Sequence, residues 1–134
     1  MNLQFARQQY RRHAQADAAV PDDAHAIVEL VMNELHGALD RLCIAGSNNA
    51  ALPPDAMVKG MSAIYILQGS LDMDSDNAIA VPLFQVYEFC RQQIMRAFRK
   101  EPGHAEGLEK ARDFMASLRD AWAQMDRTAA APSA

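Results

Sequence analysis

The sequence has few cysteines and no surplus of positive charge, and both shortages restrict the class of protein it can be. Its two cysteines, Cys43 and Cys90, lie in apolar helical stretches, where a free thiol behaves as a small hydrophobic side chain. They indicate no disulfide framework, which fits a reducing cytoplasm. Thirteen basic and seventeen acidic residues give a net charge of −4, whereas binding to a phosphate backbone usually requires a cationic surplus. Nucleic acid is therefore not an expected partner.

Long apolar runs are also missing. No stretch approaches the roughly 20 apolar residues that a helix needs to span a bilayer, and residues 1–15 are polar and basic, without the apolar centre of a signal peptide. We therefore expect a cytoplasmic protein with no membrane insertion. The 134 residues, 50% of them hydrophobic, are enough for one core and too few for two.

Motifs for catalysis and metal binding are scarce. The sequence shows no nucleophile with a base at readable spacing, no glycine-rich phosphate loop, and no His or Cys pair with zinc-ligand spacing. His25 with Glu29, and His36 with Asp40, are i,i+4 pairs typical of a solvated helix face. We expect no enzyme activity, no cofactor and no metal.

One acidic stretch, "GSLDMDSDNAI" (69–79), needs separate attention because Asp72, Asp74 and Asp76 alternate like the first ligands of a calcium loop. Such a loop requires glycine at its sixth position and a bidentate glutamate at its twelfth. Counted from Asp72, those positions hold Asn77 and Leu83. The stretch is better interpreted as a joint whose polar side chains cap the next helix.

What the sequence does contain is apolar residues at steps of three and four in four segments, without lasting strand-like alternation. This pattern predicts an all-α fold, an antiparallel up-down four-helix bundle over residues 21–127. Residues 1–20 would be a flexible N-terminal segment able to act as a lid, and residues 128–134 a disordered tail. The expected helix starts are Asp22 or Asp23 after Pro21, Pro54 or Asp55, Ala78 to Pro82, and a point after "KEPGH" near His104.

The second and third predicted helices carry more apolar residues than one core-facing stripe requires. The surplus suggests that part of this surface meets a partner chain, a second copy of the bundle, or the N-terminal segment. The residues are Met57, Val58, Met61, Ile64, Tyr65, Ile66, Leu67 and Leu71 in the second helix, and Val81, Leu83, Phe84, Val86, Tyr87, Phe89, Cys90, Ile94, Met95 and Phe98 in the third.

The order of several short motifs resembles that of the FliS family, cytoplasmic export chaperones that hold flagellin before secretion. The motifs are Tyr10 followed by Val20-Pro21, "AIYILQGSLDM", "VYEFCRQQIMRAF", and Leu118-Arg119 with Trp122. The chain has Asp76-Asn77 where the family usually has Gly-Gly, and Ala97-Phe98 where it has Ala-Asn. These departures leave open a client other than an ordinary flagellin.

The resemblance implies that the disordered C-terminal segment of flagellin binds around the outside of the bundle. Other flagellar export or regulatory proteins are further candidate partners, and the free protein would be a monomer or weak dimer. Tyr10 and the leading segment would cover part of the groove. The other groove residues that we predict are Ile64, Tyr65, Leu67, Leu71, Phe84, Tyr87, Phe89 and Ile94.

Two alternatives remain at this point. A homodimeric helical adaptor or structural module, without a flagellin client, would pair the spare apolar surface with itself. A small helical enzyme or metal-binding bundle would require Glu-x-x-His pairs on two of its helices. The sequence has one such spacing, Glu101 with His104, and it lies in "KEPGH", a joint between predicted helices.

Overall fold

The chain folds into helices. The structure is a computed structural model that describes residues 2–13, 23–74 and 77–130, and within these ranges it contains five α-helices and no strand. The all-α prediction is confirmed. The helices are α1 (Leu3–His13), α2 (Ala24–Ser47), α3 (Pro54–Gly69), α4 (Asn77–Phe98) and α5 (His104–Ala130).

The starts of three helices agree with the sequence signals. The Asp23 side chain caps α2 by accepting a hydrogen bond from the backbone N–H of His25 at 3.0 Å. α3 begins at Pro54, where proline lacks only an N–H that would have no partner inside the helix. α5 begins at His104 after a turn in which Gly103 has φ +78°, a conformation that favours glycine. α4 begins at Asn77, so Pro82 lies inside the helix rather than in its first turn.

The described part of the N-terminal segment, which the sequence predicts to be flexible, forms helix α1. The Asn2 side chain caps this helix by accepting from the N–H of Phe5 at 3.1 Å. Ala6 and Tyr10 are buried where α1 packs on α2 and α3. Docking on other helices therefore supplies the apolar contacts that the segment lacks by itself.

At the C-terminal end, α5 continues to Ala130, so it includes the first residues of the tail that the sequence predicts from residue 128. The rest of that predicted tail, 131–134, lies outside the described residues, as does the predicted joint around Val20 and Pro21.

The core lies among α2, α3, α4 and α5, with α1 added on one side. α2 contacts α1, α3 and α5, while α4 contacts α3 and α5. α2 supplies the most buried residues, because its apolar stripe repeats through the whole helix. They are Ile27, Val28, Val31, Met32, Leu35, Ala38, Leu39, Leu42 and Cys43.

Candidate protein-binding surfaces

The acidic stretch between α3 and α4 forms a local turn. The Asp72 side chain accepts a hydrogen bond from the backbone N–H of Asp74 at 3.1 Å, as aspartates in turns commonly do. Asp76 lies outside the described residues. Among the residues that the structure describes, no three His, Cys, Asp or Glu side chains are placed to hold a metal ion.

The histidines of α2 pack against α5 rather than lying on a solvated face, which corrects the interpretation from i,i+4 spacing. The His25 ring stacks on Trp122 with centroids 4.1 Å apart, and the Trp122 indole donates to the backbone carbonyl of His25 at 2.9 Å. His36 Nδ1 lies 3.5 Å from the Arg119 guanidinium. Burial, reinforced by Arg119, lowers the pKa of His36. The i,i+4 spacing misleads here because it does not show which face of α2 is covered by α5.

Both cysteines are core residues with free thiols. Burial raises the pKa of Cys43 and raises that of Cys90 to about 12. A thiol is nucleophilic only as the thiolate, so these environments oppose reactivity.

The nine residues predicted to bind a partner lie at very different depths. Tyr65 is 56% exposed and Phe84 is 40% exposed, while Phe89 is half-buried. The other six are part of the hydrophobic core: Tyr10, Ile64, Leu67, Leu71, Tyr87 and Ile94. For α3 the difference follows from helix geometry, because Ile64 and Leu67 are three residues apart and share the core-facing side, whereas Leu71 lies just beyond the helix end at Gly69.

Large apolar side chains remain exposed on the neighbouring helices α3 and α4. Val58 and Tyr65 on α3, with Val81 and Phe84 on α4, make up what we call the α3–α4 face. Gln68 joins the two helices by donating to the Glu88 carboxylate at 3.2 Å and to the carbonyl of Phe84 at 3.5 Å. The site prediction omits Val58 and Val81, although both belong to the apolar surplus that the sequence displays.

Helix α1 lies beside this face. The Phe5 and Tyr65 rings are tilted against each other with centroids 5.8 Å apart. The backbone N–H of Asn2 donates to the carbonyl of Ser70, which holds the start of α1 against the end of α3. Burial, and to a smaller extent the Glu34 carboxylate, raises the pKa of Tyr10.

Other exposed apolar side chains lie away from the α3–α4 face: Ile44, Met73, Ile79, Phe114 and Met125. Of these, only Met125 lies on an apolar helical stripe that the sequence predicts, the one that the fourth segment forms with Leu108, Ala111, Met115, Leu118 and Trp122. Phe114 directly precedes Met115, a buried residue of that stripe. Its position beside the stripe rather than on it is the sequence signal that could have identified Phe114 as an exposed apolar residue.

These features define an all-helical protein whose described surface carries several exposed large apolar side chains. Residues 6–129 match the family model described as "Flagellar protein FliS". The chain therefore belongs to the FliS family, which gives it the broad role of a flagellar export chaperone. Comparison with curated proteins and with solved structures found no match. None of the described helices is long and apolar enough to cross a membrane.

Proposed function

We propose that this protein is a cytoplasmic export chaperone that binds the disordered C-terminal region of flagellin. Binding would block premature polymerisation and keep flagellin competent for secretion. The observation that carries the proposal is the α3–α4 face, four large apolar side chains left exposed on two adjacent helices. Large apolar side chains exposed on neighbouring helices favour association with another chain.

The same proposal includes the arrangement of α2 to α5 as an antiparallel up-down bundle. Contacts between α2 and α5 support it: His25 meets Trp122 near the start of α2, and Asp40 lies 3.6 Å from Arg112 farther along. Residue number therefore rises along α2 as it falls along α5. The joints between successive helices are short, which favours antiparallel neighbours.

Two of the predicted binding residues, Tyr65 and Phe84, would contact the client directly, whereas Phe89 packs edge to face on Phe114 of α5. The buried members of the prediction, such as Ile64 and Tyr87, would fix the positions of these two helices from inside. Burial of apolar client area contributes about 25 cal/mol per Å2, and the conformational entropy that the client loses offsets much of it. The complex would therefore be tight enough to protect flagellin yet reversible, as export requires.

Helix α1 would act as a lid that gives way to the client. Its Phe5 covers one edge of Tyr65, a residue of the proposed binding face. Deleting residues 1–15 should then raise client affinity and expose α3 to hydrogen exchange. Unchanged affinity and unchanged protection of α3 would rule the lid out.

The proposed function can be tested by titrating the full chain with a peptide from the C-terminal region of flagellin, following helicity by circular dichroism and affinity by calorimetry. Tyr65→Asp and Phe84→Asp should each weaken binding by about tenfold or more, which corresponds to ~1.4 kcal/mol. Phe114→Asp is the matched control, since it places the same charge at an exposed aromatic position on α5.

The proposal would be contradicted if the chain did not bind this peptide. It would also be contradicted if the control variant lost as much affinity as the two test variants. Sedimentation of the free chain separates the remaining alternative. A chaperone of this kind should gain mass only when the client peptide is added, whereas a homodimeric adaptor would already have twice the mass of the chain.

A further inference from the structure

The last turns of α4 form a basic surface on a protein whose net charge is −4. Residues 91–100 carry four cations and no acidic residue: Arg91, Arg96, Arg99 and Lys100. Three of these, Arg91, Arg96 and Arg99, line a pocket with a volume of about 330 Å³, which we call the arginine pocket. The other residues that line it are Gln92, Met95 and Glu101.

Arg91 adds little net charge to the arginine pocket, because its guanidinium is bound to the Glu88 carboxylate, with Nε donating at 2.9 Å. Glu88 also accepts from Gln68 of α3 at 3.2 Å, so this ion pair joins two helices. Two opposite charges in contact largely cancel at the distance of a third group. The positive charge of the pocket therefore comes from Arg96 and Arg99.

The Arg96 guanidinium is held in place by neutral groups. It donates to the backbone carbonyl of Pro102 at 2.8 Å and to the side-chain carbonyl of Gln93 at 3.2 Å. These two bonds orient the guanidinium without cancelling its charge, and they leave three of its five N–H groups for a ligand. Among the residues that the structure describes, no carboxylate forms an ion pair with Arg96.

The Gln93 side chain that holds Arg96 is packed against the start of α5. Gln93 is 5% exposed, and a Cβ at Gly107 would overlap its side-chain oxygen. Glycine lowers helix stability relative to alanine, and here it allows the close approach of a buried amide. The position of Arg96 is thus fixed by the packing of α4 on α5.

Arg99 is exposed, and its side chain forms no hydrogen bond or ion pair within the described part of the chain. Glu101 is the one carboxylate among the described residues that line the pocket, and it pairs with neither Arg96 nor Arg99. Glu106 and Lys110 line a neighbouring recess beside Arg96, and their opposite charges offset each other. The arginine pocket therefore keeps a net positive charge.

The size of this charge limits the kind of anion that the pocket can bind. Nucleic acids and anionic bilayers are held by larger groups of cations, whereas Glu101 and the net charge of −4 would repel an extended polyanion. A single carboxylate needs only one or two guanidinium groups, which bind it through paired N–H donors. The half-buried Met95 side chain adds an apolar surface for the methylene groups of a glutamate.

We propose that the arginine pocket is a docking site for an acidic segment of a partner protein. A glutamate or aspartate carboxylate of that segment accepts hydrogen bonds from Arg96 and faces Arg99. The proposal does not depend on flagellin binding at the α3–α4 face, so either can fail alone.

The test uses the full chain and two synthetic peptides, one rich in glutamate and the other with glutamine in place of every glutamate. Titration followed by NMR should show the glutamate peptide binding at least about tenfold more tightly. The side-chain N–H signals of Arg96 and Arg99 should shift most. Inorganic phosphate and vesicles of anionic lipid, titrated in the same way, should bind more weakly than the glutamate peptide.

Single variants separate the pocket from general attraction to cations. Arg99→Gln should weaken the glutamate peptide by about threefold to fivefold and leave thermal stability unchanged, because the Arg99 side chain makes no bond that would be lost. Arg12→Gln is the matched control, since it removes the same charge from an exposed position on α1 and should leave the affinity unchanged. Glu101→Gln should strengthen binding, because it removes the carboxylate in the pocket wall.

The oriented guanidinium has its own test. Arg96→Lys keeps the charge but loses the planar set of donors, so it should weaken the glutamate peptide more than Arg99→Lys does. Four results would overturn the proposal: equal affinity for the two peptides, equal losses in Arg99→Gln and Arg12→Gln, unmoved Arg96 signals, or binding of phosphate or vesicles as tight as that of the glutamate peptide.

Discussion

Phe5 of α1 occupies the space in which a side chain at Gly69 of α3 would lie. A Cβ at Gly69 would overlap the Phe5 ring, so the ring would have to leave its present position beside Tyr65. The absence of a side chain at Gly69 is therefore what allows α1 to approach α3 closely.

Gly69→Ala should consequently loosen α1 without unfolding the rest of the protein. Hydrogen exchange measured by mass spectrometry should speed up in residues 3–13 and stay slow in α2. Gly37→Ala is the control, because nothing lies within 4 Å of the Cβ it would add, and it should stabilise α2 by up to about 1 kcal/mol. Unchanged exchange of α1 in Gly69→Ala would show that Phe5 does not depend on this space.

Tyr87→Phe should raise the free energy of unfolding. The Tyr87 hydroxyl is buried and has no hydrogen-bond partner among the described residues, and burial raises its pKa. Removing an unsatisfied buried hydroxyl should stabilise the protein by roughly 1 kcal/mol in urea unfolding. Tyr65→Phe, at an exposed position, should change stability by less than about 0.5 kcal/mol. A less stable Tyr87→Phe protein would mean that the hydroxyl has a partner.

Trp122→Phe should destabilise the contact between α2 and α5. The substitution keeps an aromatic ring beside His25 but removes the indole N–H that donates to the His25 carbonyl. Loss of one such hydrogen bond costs about 1 kcal/mol. The measurement is the midpoint of thermal unfolding at neutral pH, which should be lower in this variant than in the unmodified chain. An identical midpoint would contradict the role assigned to the hydrogen bond.

Stability should fall in acid partly because of His36. Its folded-state pKa is lowered, by burial and then by Arg119, so the unfolded chain binds a proton more readily than the folded one. The contribution of His36 is complete above 6.5, the ordinary histidine value, and is lost as the pH falls from there toward the lowered pKa. His36→Gln should flatten this part of a urea-unfolding profile against pH. A profile with the same slope in both proteins would exclude His36 as the cause.

The starts of α2 and α3 could be predicted because Asp23 and Pro54 signal them locally. α1 could not, because its stability depends on burying Ala6 and Tyr10 against helices distant in sequence.

The binding surface was predictable only as a region. Ile64 and Tyr65 are adjacent and both apolar, yet one is buried and the other exposed. When a helix is apolar on most sides, composition does not say which side the neighbours cover.

The chain contains a single tryptophan, and Trp122 stands in the wall of an apolar pocket that Ile79, Leu83, Leu118 and Met125 also line. Its intrinsic fluorescence is thus a built-in reporter of that location, with no second indole to mask it. A ligand entering the pocket should shift the emission spectrum, whereas one confined to Tyr65 and Phe84 should leave it almost constant. The two surfaces could then be told apart optically in the unlabelled protein.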